Sequence, residues 1–168
     1  MLEYSKVNNV KESGLQSFPI LEQYCNYMLA ALGRSELTVK EYRYDILCFV
    51  RFFKQDHGMV AKDTAEDQID VSDVDIDLLS KVTTDDLLAF IIWLSRSRKQ
   101  SNASRARHVA SLRSFFKYLH SKKHLIESNP AYDLETPKIG RRNPKYPSLD
   151  QSRELLKVAY DSPIESSE

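Results

Sequence analysis

Apolar residues recur at helical spacing in four stretches of the chain, and only one short stretch alternates as a strand would. Ile20, Tyr24, Tyr27 or Met28, and Ala31 predict a first helix that starts at Pro19, a residue suited to a first helical turn, and ends at Gly33. Ser35 can cap a second helix, in which Val39, Tyr42, Ile46, Phe49 and Phe53 form one continuous stripe up to Gly58. Thr83 or Thr84 can cap a third, with Asp85 and Asp86 well placed in its first turn; Leu87, Leu88, Ile91, Ile92 and Leu94 make it apolar enough to expect burial. Ser101 or Asn102 opens a fourth helix, expected to run to about Ser121 on a stripe of Val109, Leu112, Phe116 and Leu119. The alternating stretch QIDVSDVDIDLL fits an extended segment or a turn of helix, and residues 57–82 as a whole read as a solvated acidic loop packed by a few aliphatics. Asn129-Pro130 marks a short turn. The expected class is all-α: a four-helix bundle with an acidic insertion and a linker after it.

The ends read differently. Residues 1–17 are polar and aperiodic, a loose tail by pattern. The run LETPKIGRRNPKYP has three prolines, one glycine and four positive charges, so 137–147 is expected to be a basic linker following a folded unit over 18–136. Ser148 and Gln151 stand in a capping-box arrangement ahead of Leu155, Leu156 and Ala159, as though 148–168 began another domain.

Composition adds little until charge is mapped. The 168 residues carry 24 basic and 24 acidic side chains, a net charge of zero that argues against nucleic acid. The distribution argues the other way. From Asp56 to Asp86 there are ten acids against Lys62 and Lys81; from Arg96 to Lys123 there are nine Lys or Arg and no acid. The local field, and not the sum, decides what a surface attracts. No apolar run reaches the ~18 residues of a membrane span, and the N-terminus lacks the apolar core of a signal peptide, so a cytoplasmic setting is expected, with Cys25 and Cys48 as reduced thiols.

Candidate chemistry is sparse. His57, His108, His120 and His124 fall in no HExxH-type spacing; His120 and His124 are four apart, but two imidazoles do not make a metal site. There is no GxSxG, phosphate-binding loop, GxGxxG or calcium-loop pattern, so neither catalytic residue, metal nor cofactor is expected. The cations are more informative. With 100° per residue fixed by its apolar stripe, the fourth helix is expected to turn Arg107, Ser111, Ser114 and Tyr118 outward, flanked by Arg113 and Lys117. Small hydroxyls between long cations suit a helix lying in a DNA major groove. The second helix offers Lys40, Tyr44 and Arg51, with Thr38 and Arg43 at the margins, mixed with Glu41 and Asp45. Lys138, Arg141, Arg142 and Lys145 suit a strap along a phosphate backbone or plain linker solubility. On pattern alone, a DNA-binding bundle and a helical module that docks other proteins both remain open.

Several stretches together resemble the core-binding domain of the tyrosine recombinases, particularly the Xer-like and transposon-integrase branch. They are Thr38-Val39-Lys40-Glu41-Tyr42-Arg43-Tyr44-Asp45-Ile46; Arg107-His108-Val109-Ala110-Ser111-Leu112-Arg113-Ser114-Phe115-Phe116-Lys117-Tyr118-Leu119; Ser128-Asn129-Pro130-Ala131 with Leu134 and Pro137-Lys138; and Lys145-Tyr146-Pro147-Ser148-Leu149. The resemblance covers about 18–160. It implies a SAM-like helical domain whose second and fourth helices cross the major groove of double-stranded DNA, opposite a catalytic domain that closes a clamp. By match of position it makes Thr38, Lys40, Arg43, Arg107, Ser111, Arg113 and Ser114 DNA-contact candidates; the charge and face pattern adds Tyr44, Arg51, Arg105, His108, Lys117, Lys138, Arg141, Arg142 and Lys145 to the set. The family's catalytic arginines, lysine, histidines and nucleophilic tyrosine find no match, so none of the nine tyrosines is carried over. The expectation is a piece that grips DNA without cutting it, monomeric alone and self-associating in a synaptic tetramer only at full length. The acidic insertion is longer than the compact Xer connection, which favours a mobile-element integrase.

Overall fold

The computed structural model describes residues 17–138, together with Arg153. Within them run five α-helices and no strand: α1 (Pro19–Ala30), α2 (Glu36–Asp56), the short α3 (Ile76–Ser80), α4 (Thr84–Arg96) and α5 (Asn102–Lys117). A single 3-10 turn (Glu66–Gln68) precedes α3, and a π-helical turn (Tyr118–Lys122) extends α5. The all-α expectation holds. The N-terminal tail up to residue 16, nearly all of the linker, and the segment expected to begin another domain lie outside the described residues.

Local chemistry sets the helix ends. Pro19 opens α1, and Gly33, at φ 59°, turns the chain out of it while the Arg34 N–H reaches back to the Met28 carbonyl. Ser35 caps α2 by accepting from Thr38 N. Of the alternative caps, Thr83 and Ser101 are the ones used. Thr83 and Asp86 form a reciprocal capping box, and the Ser101 hydroxyl accepts from Ser104 N. Their neighbours staple the C-terminal segment to the bundle: Thr84 Oγ1 donates to the Pro130 carbonyl at 2.9 Å, and Asn102 Nδ2 to the Lys138 carbonyl at 2.8 Å.

The core is aromatic where the helices meet. Phe49 of α2 packs edge-on against Phe90 of α4 (centroids 5.4 Å apart) and Phe116 of α5 (6.2 Å), while Phe115 of α5 meets Tyr24 of α1 at 5.3 Å. Phe115 and Phe116 thus point into opposite flanks of one core, which makes α5 its central strut. Helix α2 shares that position: every residue from Asp45 to Arg51 is buried.

Three burial expectations need correction. Helix α4 is covered on one side only, by α2 and α5, so Leu87, Phe90 and Leu94 are buried but Leu88 and Ile92 are 43% and 51% exposed. Ala31, expected on the first apolar stripe, is the exposed C-cap of α1. The acidic segment is more integrated than a solvated loop. Ile69, Val71, Val74, Leu79 and Val82 are all buried, and the buried Lys54 ammonium donates to the Asp70 carbonyl and to both Asp73 oxygens at 2.6–2.9 Å. The alternating sequence forms turns and then α3, with aliphatics inward and acids outward.

Because Phe49 joins three helices and is wholly buried, Phe49→Ala should destabilise the chain by about 3–5 kcal/mol in urea unfolding. A loss below 1 kcal/mol would mean that the aromatic junction is not what holds the bundle.

Candidate nucleic-acid interface

Burial sorts the candidate cations into three groups. The first is exposed and has no ion pair or side-chain hydrogen bond among the described residues: Lys40 and Tyr44 on α2, and Arg113 and Lys117 on α5. On α5 these cations lie within about two turns of exposed Ala110 and half-buried Ser114, and exposed Ala103 continues the same face toward the helix start, so the outward face is a strip of small side chains with cations along its later part. Ser114 accepts a hydrogen bond from the Tyr24 hydroxyl at 2.7 Å, which locks the strip to α1. Thr38 is half-buried, its hydroxyl 2.9 Å from that of Ser35. The exposed side chain of Lys138 stands near the start of α5, its carbonyl held by Asn102. Arg141, Arg142 and Lys145 lie outside the described residues.

The second group has its charge engaged inside the molecule. Arg43 faces α1, where its guanidinium grips both Glu22 oxygens, Nη2 donating to Oε2 at 2.6 Å, and also reaches Ser17. That pairing holds the Glu22 carboxyl below its ordinary range. Arg105 is half-buried and donates to Asn102 Oδ1. Arg107 is paired with Glu41 and donates through Nη2 to Asp45 Oδ1 at 2.9 Å. The expectation of an outward face with no acid to offset it is therefore corrected: α2 supplies the acids across the groove.

The third group is buried, contrary to expectation. His108 and Ser111 are fully buried, Arg51 nearly so, and Tyr118, expected to point outward, packs against Tyr24 and Tyr27. The physical reason is the width of the core. The stripe Val109, Leu112, Phe116 and Leu119 is only half of the buried arc of α5; His108, Ser111, Phe115 and Tyr118 make up the other half, because α1 packs on Phe115 and Tyr118 while His108 lies against Phe90 of α4 and Asp45 of α2. The true outward axis is rotated toward Ala103, Ala110 and Lys117. Ser111 spends its hydroxyl on the His108 carbonyl at 2.9 Å. These residues support the face from beneath and present nothing to a ligand.

The sequence reading had missed Glu41 and Asp45 as parts of the site. The signal was present: Asp45 stands directly before the apolar run Ile46-Leu47-Cys48-Phe49, and a buried carboxylate there requires a partner. Burial pushes its carboxyl up to about 7. His108 Nδ1 lies 3.2 Å from Asp45 Oδ1, and burial, helped by Arg107 and Arg98, lowers its imidazole to about 4. Asp45 Oδ2 and both His108 ring nitrogens have no hydrogen-bond partner among the described residues.

No group of three or more metal-ligating side chains occurs among the described residues. His120 and His124 do not share a helical face, since His124 leaves the π turn at φ 52°. Cys25 and Cys48 are buried free thiols. No helix in the described part is long and apolar enough to cross a membrane.

Comparison with known proteins points the same way as the motifs. Residues 70–123 match the family described as Phage integrase, N-terminal SAM-like domain. The chain is 45% identical over 138 residues to the tyrosine recombinase XerC of Caldanaerobacter subterraneus, 33% to XerC of Herpetosiphon aurantiacus and 30% to XerD of Listeria monocytogenes. Each alignment covers 82% of this chain but only 39–40% of the relative, so the chain spans about two fifths of the length of these proteins. No solved structure matches. The Xer names lend no support to the mobile-element expectation drawn from the acidic segment, whose length is part of the packed fold.

The buried Asp45–His108 pair makes a pH prediction with opposed signs. Between about pH 6.5 and 4 the unfolded chain binds a proton on His108 that the folded chain refuses, so this contribution to stability falls as pH falls. Over roughly the same window the folded chain keeps a proton on Asp45 that the unfolded chain has released, so that contribution rises as pH falls. Asp45→Asn leaves only the first slope and His108→Gln only the second, each at most about 1.4 kcal/mol per pH unit. Urea midpoints of the two variants across this range should diverge, with surface carboxylates common to both cancelling. Parallel profiles would show that the pair does not titrate as its burial requires.

Proposed function

We propose, from the premise that this chain belongs to the tyrosine recombinase family through its phage-integrase N-terminal SAM-like domain, that it grips double-stranded DNA with the outward faces of α2 and α5. The observation that carries this reading is the strip on α5. Ala103, Ala110 and Ser114 leave room for close approach to a groove, while Arg113 and Lys117 beside them, and Lys40 and Tyr44 on α2, are exposed. A face built only for solvent usually mixes both signs at close spacing; here most acids collect on the segment before α4, and the α2 acids Glu41 and Asp45 pair with Arg107 rather than with Arg113 or Lys117. The charge separation and the small-residue strip favour DNA over the alternative of a protein-docking module.

The role is positional. Strand cleavage by a nucleophilic tyrosine is assigned by the same reading to a catalytic domain, and this chain's part is to orient a recombination half-site and support synapsis. By itself it is expected to be a monomer and to bind weakly, since one half of a clamp holds less than two. Self-association in a synaptic tetramer is assigned to the full-length protein.

Fluorescence anisotropy with a mixed-sequence duplex of about 20 base pairs tests the reading. Binding should weaken steeply with salt, and Arg113→Ala and Lys117→Ala should each lower the slope of log K against log salt by about 0.9, the loss of one phosphate contact. Slopes that ignore both substitutions, or no binding at low salt, would reject this face as the contact surface.

A further inference from the structure

The cations of the proposed DNA face are not equivalent, and the difference lies in what Arg107 touches. Arg113 and Lys117 are exposed, which suits contact with phosphate. Arg107 is held between two carboxylates of α2: the fully buried Asp45 accepts from Nη2 at 2.9 Å, and the part-exposed Glu41 pairs with Nη1. Paired with Glu41 and bonded to Asp45, this guanidinium has less net charge to offer a phosphate than Arg113 or Lys117. It is, however, fixed in direction. A guanidinium has five N–H donors, so two engaged by acids leave three, and 36% of the Arg107 side chain remains in solvent at the α2–α5 groove.

Glu41 sharpens the point. A half-exposed carboxylate on a phosphate-binding face repels the DNA backbone, and Arg107 offsets that only in part. In the major groove the same pair has a matched target. Arginine donates to guanine O6 and N7, and a carboxylate accepts from the cytosine N4 amino group, which is its neighbour across one base pair. We propose that Glu41 and Arg107 form a base-reading pair selective for a single G·C base pair, with Asp45 as the positioning residue that aims the guanidinium. This rests on the DNA reading above and divides the labour within it: Arg113 and Lys117 for affinity, Arg107 and Glu41 for choice of sequence.

The test is binding selection by the 168-residue chain from a duplex library with randomised base pairs, combined with salt titration of the selected duplex. The wild-type chain should enrich G·C at one position, by about 10-fold or more over A·T. Arg107→Ala and Arg107→Lys should both flatten that position while leaving the salt slope within about 0.3 of wild type, because lysine keeps the charge but not the planar fork. Glu41→Gln should weaken the same position. Asp45→Asn, nearly isosteric, should reduce the preference with the salt slope retained, an effect that general loosening of the fold would not confine to one base pair. Arg113→Ala should do the reverse, lowering the slope and keeping the preference. The proposal is overturned if Arg107→Lys keeps the preference while Arg107→Ala lowers the slope by about 0.9, since Arg107 is then a phosphate clamp. It is overturned equally if the wild-type chain binds duplex without preferring any base at any position. Failure of the wild-type chain to bind any duplex is a different result: it removes the DNA reading itself, and this pair with it.

Discussion

Everything the molecule can present depends on the packing of α5 against α2. These two helices bury a wide arc against each other and against α1 and α4, so few of their side chains are left to face outward. Phe49, Phe116 and Leu112 supply the apolar part of the contact, and Asp45 supplies a polar one, fully buried and tied to Arg107 across 62 residues of sequence. A buried carboxylate is costly unless partnered, so it penalises any register of the two helices that separates it from Arg107. The same contact that fixes the register also fixes where the guanidinium lies. Core packing and surface chemistry meet at one residue.

Charge is sorted around that frame. The acidic segment between α2 and α4 is folded onto the bundle by its aliphatics and by buried Lys54, and it engages a further basic group, Arg98, which pairs with Glu66. Cations near the acids are thereby engaged, while Arg113 and Lys117 on the small-residue strip stay exposed. A chain of zero net charge thus keeps exposed cations on this strip among the described residues, and a local field of that sign is what the proposed reading relies on.

Much of this was legible in the sequence, and its failures share one cause. The helices, the caps Ser35, Thr83 and Ser101, and the charge asymmetry follow from local rules that need no knowledge of neighbours. The orientation of α5 does not. A single stripe of Val109, Leu112, Phe116 and Leu119 fixes one wall of a core, whereas a helix surrounded on several sides has more than one. Reading the outward axis from that stripe alone put Ser111 and Tyr118 on the surface, when both are buried, Tyr118 against Tyr24 and Tyr27 of α1. The placement of Arg43 and Arg51 was illegible for a related reason, since it depends on Glu22 of α1 and on the all-round burial of the second half of α2. The sign that α2 and α5 were both central lay in the buried acid ahead of Ile46 and in the paired Phe115-Phe116, which no single-sided helix needs.

The central claim is spatial: duplex DNA lies against α2 and α5 at their outward strip. Amide chemical-shift mapping of the isotopically labelled chain, titrated with duplex DNA at low salt, tests it most directly. The account predicts shifts concentrated at Lys40, Tyr44, Ala110, Arg113, Ser114 and Lys117, with little change in the acidic segment or along α4. Shifts centred instead on the shallow groove formed by Gln23, Asn26, Tyr27, Lys122 and Lys123, with α2 and α5 silent, would contradict it.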